Sequence, residues 1–337
     1  MAYALLKAAV IGAGSWGTVI ATLLADKVST TIWARTKSVA DSINCDHVNP
    51  AYLGRHVLSE KLYATCDMKE AVEDADIVVV AIPARWIRDC FSDQPVLPKK
   101  AAVVLSVVKG LDPVTNLRAS EILQNIWPEL PVGVLTGPNL AQEVLAKHPT
   151  ASVVAFRDES LARPIQELFL QEYWRLYRNK DVLGCEIAGA AKNVLAIASG
   201  IAAGLGFGVN TQAALLTRSL AELSRLGVAL GGNAATFSGL AGLGDLVATC
   251  ASEQSRNRQV GLALAKGSSL EEIQSGMHMV AEGITTTKPL LELAKSHNLE
   301  MPVAEEVAAI LFDKKPVAET ILSLMKREMK SEYDHYQ

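Results

Sequence analysis

Aromatic residues make up only 5% of the chain, and basic residues do not outnumber acidic ones: 32 Lys and Arg stand against 36 Asp and Glu, a formal net charge of −4. A protein that tracks a phosphate backbone needs a basic surplus, and one that grips single strands needs stacking platforms. Both shortages argue against nucleic-acid binding. The cysteines, Cys45, Cys66, Cys90, Cys185 and Cys250, are odd in number and contain no CxxC pair. That pattern argues against a disulfide framework or a cysteine zinc site and points to reduced thiols in the cytoplasm. The histidines lack HExxH or other ligand spacing, and no GxSxG elbow occurs, so neither metal nor serine-hydrolase chemistry has a motif behind it. No basic leader precedes the first strand-like segment, and no signal peptide is expected. The longest mostly apolar stretch, 194–209, is interrupted by Gly200, Gly204, Gly206 and Gly208. It is shorter than the about 20 residues a membrane-spanning helix needs and reads as buried core. What remains is 337 residues, 50% hydrophobic and 20% charged, enough for two cores and a small-molecule site.

Hydrophobic periodicity changes along the chain. Short β-branched runs at 8–11, 30–33, 77–82, 102–107, 132–135, 152–156 and 174–177 alternate with helical patterns at 16–26, 68–72, 115–126, 140–146 and 159–169. Near-continuous apolar strands alternating with helices predict a doubly wound parallel sheet covered on both faces. After about residue 181 the chain becomes rich in Ala and Leu, with further helical patterns at 258–264, 269–275, 286–296 and 304–312. The sequence therefore predicts an α/β domain over 1–185, an all-α domain over 186–330, and a frayed tail that begins near 326 and includes 331–337.

The run Ala9-Val-Ile-Gly12-Ala-Gly14-Ser-Trp-Gly17 places G-x-G-x-x-G between a predicted strand and a predicted helix. Gly12 permits a tight turn, Gly14 lets backbone approach a pyrophosphate, and Gly17 allows close helix–strand packing, while the helix N-terminus favours the phosphate charge. The first domain is therefore expected to be Rossmann-type and to bind a dinucleotide; the plainer alternative is a purely structural glycine turn. At the end of the second strand, where an acidic residue would accept the ribose hydroxyls of NAD(H), the chain reads Trp33-Ala-Arg35. A guanidinium there suits a 2′-phosphate, which favours NADP(H) and leaves NAD(H) possible; the plainer alternative is a solvated surface arginine.

From Ile187 to Thr217 the only formal charge is Lys192, followed by Asn193. A desolvated ammonium suits proton transfer, although a lysine snorkelling from an apolar helix reads the same way. Lys109 and the loop Thr136-Gly137-Pro138-Asn139 each follow a strand, on the side where open α/β sheets bind ligands. Ser255-Arg256-Asn257 precedes a helical pattern, with Ser255 a candidate cap. The run suits an oxyanion such as phosphate, or simply caps a surface helix. Gly239-Leu-Ala-Gly-Leu-Gly-Asp245 reads as a helix–helix turn that presents Asp245.

Together with Val80-Ala-Ile-Pro83, Lys109-Gly110, Gly137-Pro138, Glu186-Ile-Ala-Gly-Ala-Ala-Lys192-Asn193-Val194 and Val280-Ala-Glu282-Gly283, these segments resemble the bacterial-type NAD(P)-dependent glycerol-3-phosphate dehydrogenases over nearly the whole chain. The resemblance implies reversible reduction of dihydroxyacetone phosphate to sn-glycerol 3-phosphate, in the supply of glycerophospholipids. By that resemblance Lys192 is the catalytic lysine and Lys109 touches both cofactor and substrate. Asn193, Asp245 and Thr249 surround the reacting carbonyl. Gly137, Asn139, Ser255, Arg256 and Asn257 contact the phosphorylated substrate. Gly12, Gly14, Ser15, Trp16, Gly17, Arg35, Ala141, Val280 and Glu282 line the dinucleotide, with Arg256 reaching it too. Three positions depart from the family pattern: Asn139 for a serine, Gly54-Arg55 for Pro-Gly after Tyr52-Leu53, and Ala84 for a serine after Pro83. A dehydrogenase of the same layout acting on a 3-hydroxy acid or a ketopantoate-like substrate would need no phosphate clamp, and an inert NADP(H)-binding sensor would need no lysine. A cytoplasmic homodimer is the expected setting, with neither a membrane segment nor a metal.

Overall fold

The structure is a computed structural model that describes residues 6–91, 101, 103–277, 279 and 281–325. Val280 and the tail expected near 326–337 lie outside the described residues. The chain divides into two compact units, Met1–Lys109 with Leu117–Glu186, and Gly110–Asn116 with Ile187–Gln337.

The first unit is built on one sheet of β1 (Lys7–Ile11), β2 (Ser29–Trp33), β3 (Leu62–Thr65), β4 (Ile77–Val80), β5 (Val103–Ser106), β6 (Val132–Thr136), β7 (Thr150–Ala155) and β8 (Trp174–Asn179). Their spatial order is β3-β2-β1-β4-β5-β6-β7-β8. Helices α1 (Ser15–Ala25), α2 (Lys37–Asp46), α3 (Pro50–Leu53), α4 (Met68–Val72), α5 (Ala84–Phe91), α6 (Ala119–Ile126), α7 (Ala141–Leu145) and α8 (Glu159–Leu168) connect the strands. Strand side chains alternate between two cores. Ala8, Val10, Ile77, Val79 and Leu105 enter one apolar cluster, and Ala9, Ile11, Val78, Val80 and Val104 the other. Burial on both faces is why β4 reads Ile-Val-Val-Val without a polar residue. The order reverses beside β1, which pairs with β2 on one side and β4 on the other. That switch point opens a crevice at the strands' carboxyl ends.

Several sequence expectations need correction here. The sheet is not wholly parallel, because β7 runs antiparallel to β6. The five-residue α7 between them rises only about 7 Å, too little to carry the chain back along a strand of roughly 16 Å. Strand β3 and helices α2, α3 and α5 are additional to the elements expected from the periodicity. Helix α6 begins at Ala119, not at 115: Asp112 accepts hydrogen bonds from the backbone and hydroxyl of Thr115, and Asn116 adopts φ +60°.

The second unit is helical: α9 (Val182–Gly204, its first turn counted with the sheet unit), α10 (Val209–Ala229), α11 (Ala234–Ser238), α12 (Asp245–Ala251), α13 (Arg256–Ala265), α14 (Leu270–Gly276), α15 (Glu282–Ser296), α16 (Pro302–Asp313) and α17 (Val317–Met325). Among the described residues α9 is the one helix long and apolar enough to cross a membrane, and 83% of its most apolar window is buried in the protein. The expected buried core over 194–209 holds only to Ala202. Leu205, Phe207 and Val209 are exposed, because α9 ends at Gly204 and Gly206 takes φ +79°. The glycine-rich run at 239–245 is not an open turn. It winds as a π-helical segment, Leu240–Gly244, closed by the Gly244 N–H donating to the Gly239 carbonyl at 3.1 Å, and α12 begins directly at Asp245.

Candidate active site

In the sheet unit the glycine loop joins β1 to α1. Gly12 sits at φ +113°, and a Cβ there would lie 2.9 Å from the Ala81 carbonyl oxygen; a Cβ on Gly17 would meet the Gly12 carbonyl at 1.9 Å. Only glycine fits at both. A Cβ on Gly14 would enter open space, so that position is bare for a different reason: it leaves backbone exposed to an approaching group. Gly14 is also the N-cap of α1 and offers no capping side chain, which leaves the first-turn amides to a ligand oxygen. The arrangement fits a dinucleotide pyrophosphate. The Trp16 indole packs edge-on to Trp174 with ring centroids 5.8 Å apart.

A residue the sequence reading missed braces this loop. Asn49 is fully buried and donates to the Ala13 carbonyl at 2.9 Å and to Thr18 Oγ1 at 2.8 Å. Ser15 Oγ donates to the Tyr52 carbonyl at 3.1 Å. Nothing local marks a brace supplied 36 residues downstream. The neighbouring Gly54 adopts φ +62°, which proline cannot reach, so the departure at this position changes the backbone. Ala84 is fully buried at the start of α5 and presents no hydroxyl. Arg35 is exposed just beyond β2, whose last residue, Trp33, accepts a hydrogen bond from the Gly12 N–H at 3.1 Å.

After β5, Lys109 Nζ donates to the Gly137 carbonyl at 2.9 Å and to Asn139 Oδ1 at 2.7 Å. Three residues predicted from two separate loops thus meet. Ala141 is the first residue of α7, directly after this loop.

In the helical unit, Lys192 is 5% exposed and does not snorkel. Its Nζ donates to Asp245 Oδ1 at 2.5 Å and to Thr249 Oγ1 at 2.7 Å. The countercharge is Asp245, the first residue of α12, itself 2% exposed. Asn193 and Asn257 are tied together, with Asn257 Nδ2 donating to Asn193 Oδ1 and the Gly283 N–H donating to Asn257 Oδ1, each at 2.9 Å. A Cβ on Gly283 would lie 2.5 Å from the Asn193 carbonyl oxygen, so this joint requires glycine at the start of α15. Ser255 caps α13 and accepts from the Arg258 N–H. Arg256 occupies the first position of that helix. Burial lowers its pKa, and the carboxylate of Glu282, first residue of α15, opposes that shift. Among the described residues no group of three or more His, Cys, Asp or Glu could hold a metal ion.

Two family patterns cover this chain. The one described as NAD-dependent glycerol-3-phosphate dehydrogenase N-terminus matches residues 7–162, and its C-terminal counterpart matches residues 181–322. A glycerol-3-phosphate dehydrogenase (NAD(P)+) of Corynebacterium kroppenstedtii is 46% identical over 332 residues, 97% of this chain and 100% of its own. One from Parafrankia sp. is 44% identical over 331 residues, 97% and 99% of the two chains. Among solved structures, glycerol-3-phosphate dehydrogenase from Coxiella burnetii matches with a TM-score of 0.91 at 35% identity, covering 96% of this chain and 99% of that one.

Proposed function

Since the chain belongs to the NAD-dependent glycerol-3-phosphate dehydrogenase family, we propose how its own residues divide the work of that reaction. The protein is an oxidoreductase that uses NAD(P)(H) and reduces dihydroxyacetone phosphate to sn-glycerol 3-phosphate, reversibly, in the supply of glycerophospholipids. The sheet unit, read as a dinucleotide-binding domain over 1–185, holds the pyrophosphate with the backbone of Gly12, Gly14, Ser15, Trp16 and Gly17. Ala141, Val280 and Glu282 complete the cofactor contacts. Arg35 faces the adenosine ribose, and its guanidinium makes NADP(H) the preferred form. When bound, the nicotinamide supplies or accepts the hydride.

The helical domain, read as 186–330, supplies the remaining chemistry. The Lys192 ammonium stabilises the charge that develops on the ketone oxygen and donates the proton; in the reverse direction the neutral amine takes it back. Asp245 and Thr249 orient Lys192, and Asn193 lies beside it. Ser255, Arg256 and Asn257, at the N-terminus of α13, hold the phosphate. Fixing that remote group positions the carbonyl for reaction, an effect that can reach several kcal/mol. Lys109, Gly137 and Asn139 also contact the substrate. A cytoplasmic setting and a homodimer complete this reading.

The observation that carries the proton-transfer assignment is the 5%-exposed Lys192 bonded to Asp245 and Thr249. The direct test follows NADPH absorbance with dihydroxyacetone phosphate and, in parallel, unphosphorylated dihydroxyacetone. Rapid loss with the phosphorylated ketone alone supports both the reaction and the phosphate clamp. NADPH binding without oxidation by either ketone would overturn the substrate assignment.

A further inference from the structure

The glycine loop carries no formal charge: between Lys7 and Asp26 the sequence has neither an acid nor a base. It therefore offers a pyrophosphate backbone N–H groups and a helix dipole, but no countercharge. The chain that follows β4 runs beside it. The Ala81 N–H donates to the Ile11 carbonyl at 2.9 Å, which carries the parallel pairing one residue past β4. A Cβ on Gly12 would lie 2.8 Å from Ile82 Cγ2, and one on Gly17 would lie 3.0 Å from Ala81 Cβ. Arg85 comes three residues after Ile82, within about 11 Å of chain, as the second residue of α5. The Trp86 N–H closes the turn between them by donating to the Pro83 carbonyl at 2.9 Å.

A cation in the first turn of a helix opposes the macrodipole, and the first turn of α5 holds no acidic residue to offset it. The Arg85 guanidinium carbon lies 5.0 Å from the centroid of the Trp86 ring. That contact uses the face of the guanidinium and none of its N–H donors. The Nε atom is buried with no hydrogen-bond partner among the described residues. Trp86 is 44% exposed, so the stacked pair sits at the surface rather than in the core. An unmet donor, an opposed helix dipole and a neighbouring loop without a countercharge share one remedy, an anion.

We propose that Arg85 is a further cofactor-binding residue, whose guanidinium donates to a phosphate oxygen of the bound dinucleotide. The inference rests on the dinucleotide reading of the sheet unit and extends it to a side chain that the glycine motif does not contain. The pyrophosphate is the source of that oxygen beside the glycine loop, and the 2′-phosphate of NADP(H) presents the same chemistry. Trp86 holds the guanidinium flat, so its planar fork is oriented before the ligand arrives.

Isothermal titration of the full chain with NADPH and with NADH, at low and at raised salt, tests the contact in the parent protein, Arg85→Gln and Arg85→Lys. Thermal melts without ligand check that each variant is folded, and Arg85→Met stands in should Arg85→Gln fail to fold. Arg85→Gln keeps a polar side chain without the charge. It should raise the NADPH Kd at least about tenfold, the worth of one charge-assisted hydrogen bond. An equal rise with NADH assigns the contact to the pyrophosphate; a rise confined to NADPH assigns it to the 2′-phosphate. Arg85→Lys should recover part of the loss, because it restores the charge without the planar fork. Raised salt should weaken the parent protein more than Arg85→Gln, since the variant has one ion contact fewer to screen. The proposal is overturned if folded Arg85→Gln binds both dinucleotides as the parent protein does. It is also overturned if that variant loses affinity but keeps the parent's salt response, which would trace the loss to the fold and not to the charge. A parent protein that binds neither dinucleotide would instead overturn the cofactor reading on which the proposal rests.

Discussion

An ammonium moved from water into a protein interior loses several kcal/mol of hydration, and Lys192 sits at 5% exposure with Asp245 Oδ1 2.5 Å away. Residue order left burial and snorkelling open, and only the lone charge was legible, since no other lies between Ile187 and Thr217. Its partner was not, because 53 residues separate the two and only the packing of α12 against α9 joins them. The roles can be pulled apart. Lys192→Ala is expected to lower kcat by about 10²–10⁴ while leaving the NADPH Kd nearly unchanged, which steady-state kinetics and fluorescence titration would check. Turnover close to that of the parent protein would remove Lys192 from the mechanism. Asp245→Asn strands a buried charge, a change worth about 3–5 kcal/mol, so its melting temperature should fall together with kcat.

The same physics acts between whole helices in the pairing of α10 with α16. Glu222 of α10 is buried, and its carboxylate accepts from the Val303 N–H at 2.9 Å and from the Ala304 N–H at 3.4 Å, capping α16 just after Pro302. Burial pushes its pKa up to about 7 from an ordinary 4.5, against the opposing pull of those two bonds. The folded protein therefore holds a proton that the unfolded chain releases near pH 4.5. The stabilisation is complete below that pH and is lost as pH rises through about 7. Melting curves between pH 5 and 8 should show the parent protein losing several degrees relative to Glu222→Gln, whose amide oxygen still caps the helix. Parallel curves for the two proteins would rule out this titration. At this scale the strongly patterned elements β1, β4 and α1 were legible, whereas β3, equal in length to β4 but reading Leu-Tyr-Ala-Thr with no β-branched run, was not. Its status comes from pairing with β2, a contact with no local signature.

At the scale of the molecule, a dehydrogenase needs a cofactor half and a substrate half, and ligand linkage reports on the first. NADPH at about 100 times its Kd adds about 2.7 kcal/mol to the stability of the form that binds it, visible as a rise in melting temperature. Arg35→Asp should abolish most of the rise with NADPH and spare that with NADH. Equal rises with both cofactors in the parent protein would make Arg35 a solvated surface residue. The glycine spacing of the dinucleotide loop and the change from strand to helix patterns near residue 181 were readable from residue order, and Lys109, Lys192 and Arg256 stood out there as candidates whose roles came from the family resemblance. Each rests on local backbone geometry, short-range periodicity or the cost of a lone charge in apolar surroundings. Tertiary packing alone decided the Asn49 brace, the Asp245 countercharge, the reversal of β7 and the carboxamide edge that Asn139 turns to Lys109. Those features join residues tens of positions apart, and hydrogen-bond geometry at that separation is set by how elements pack, which no short stretch of sequence encodes.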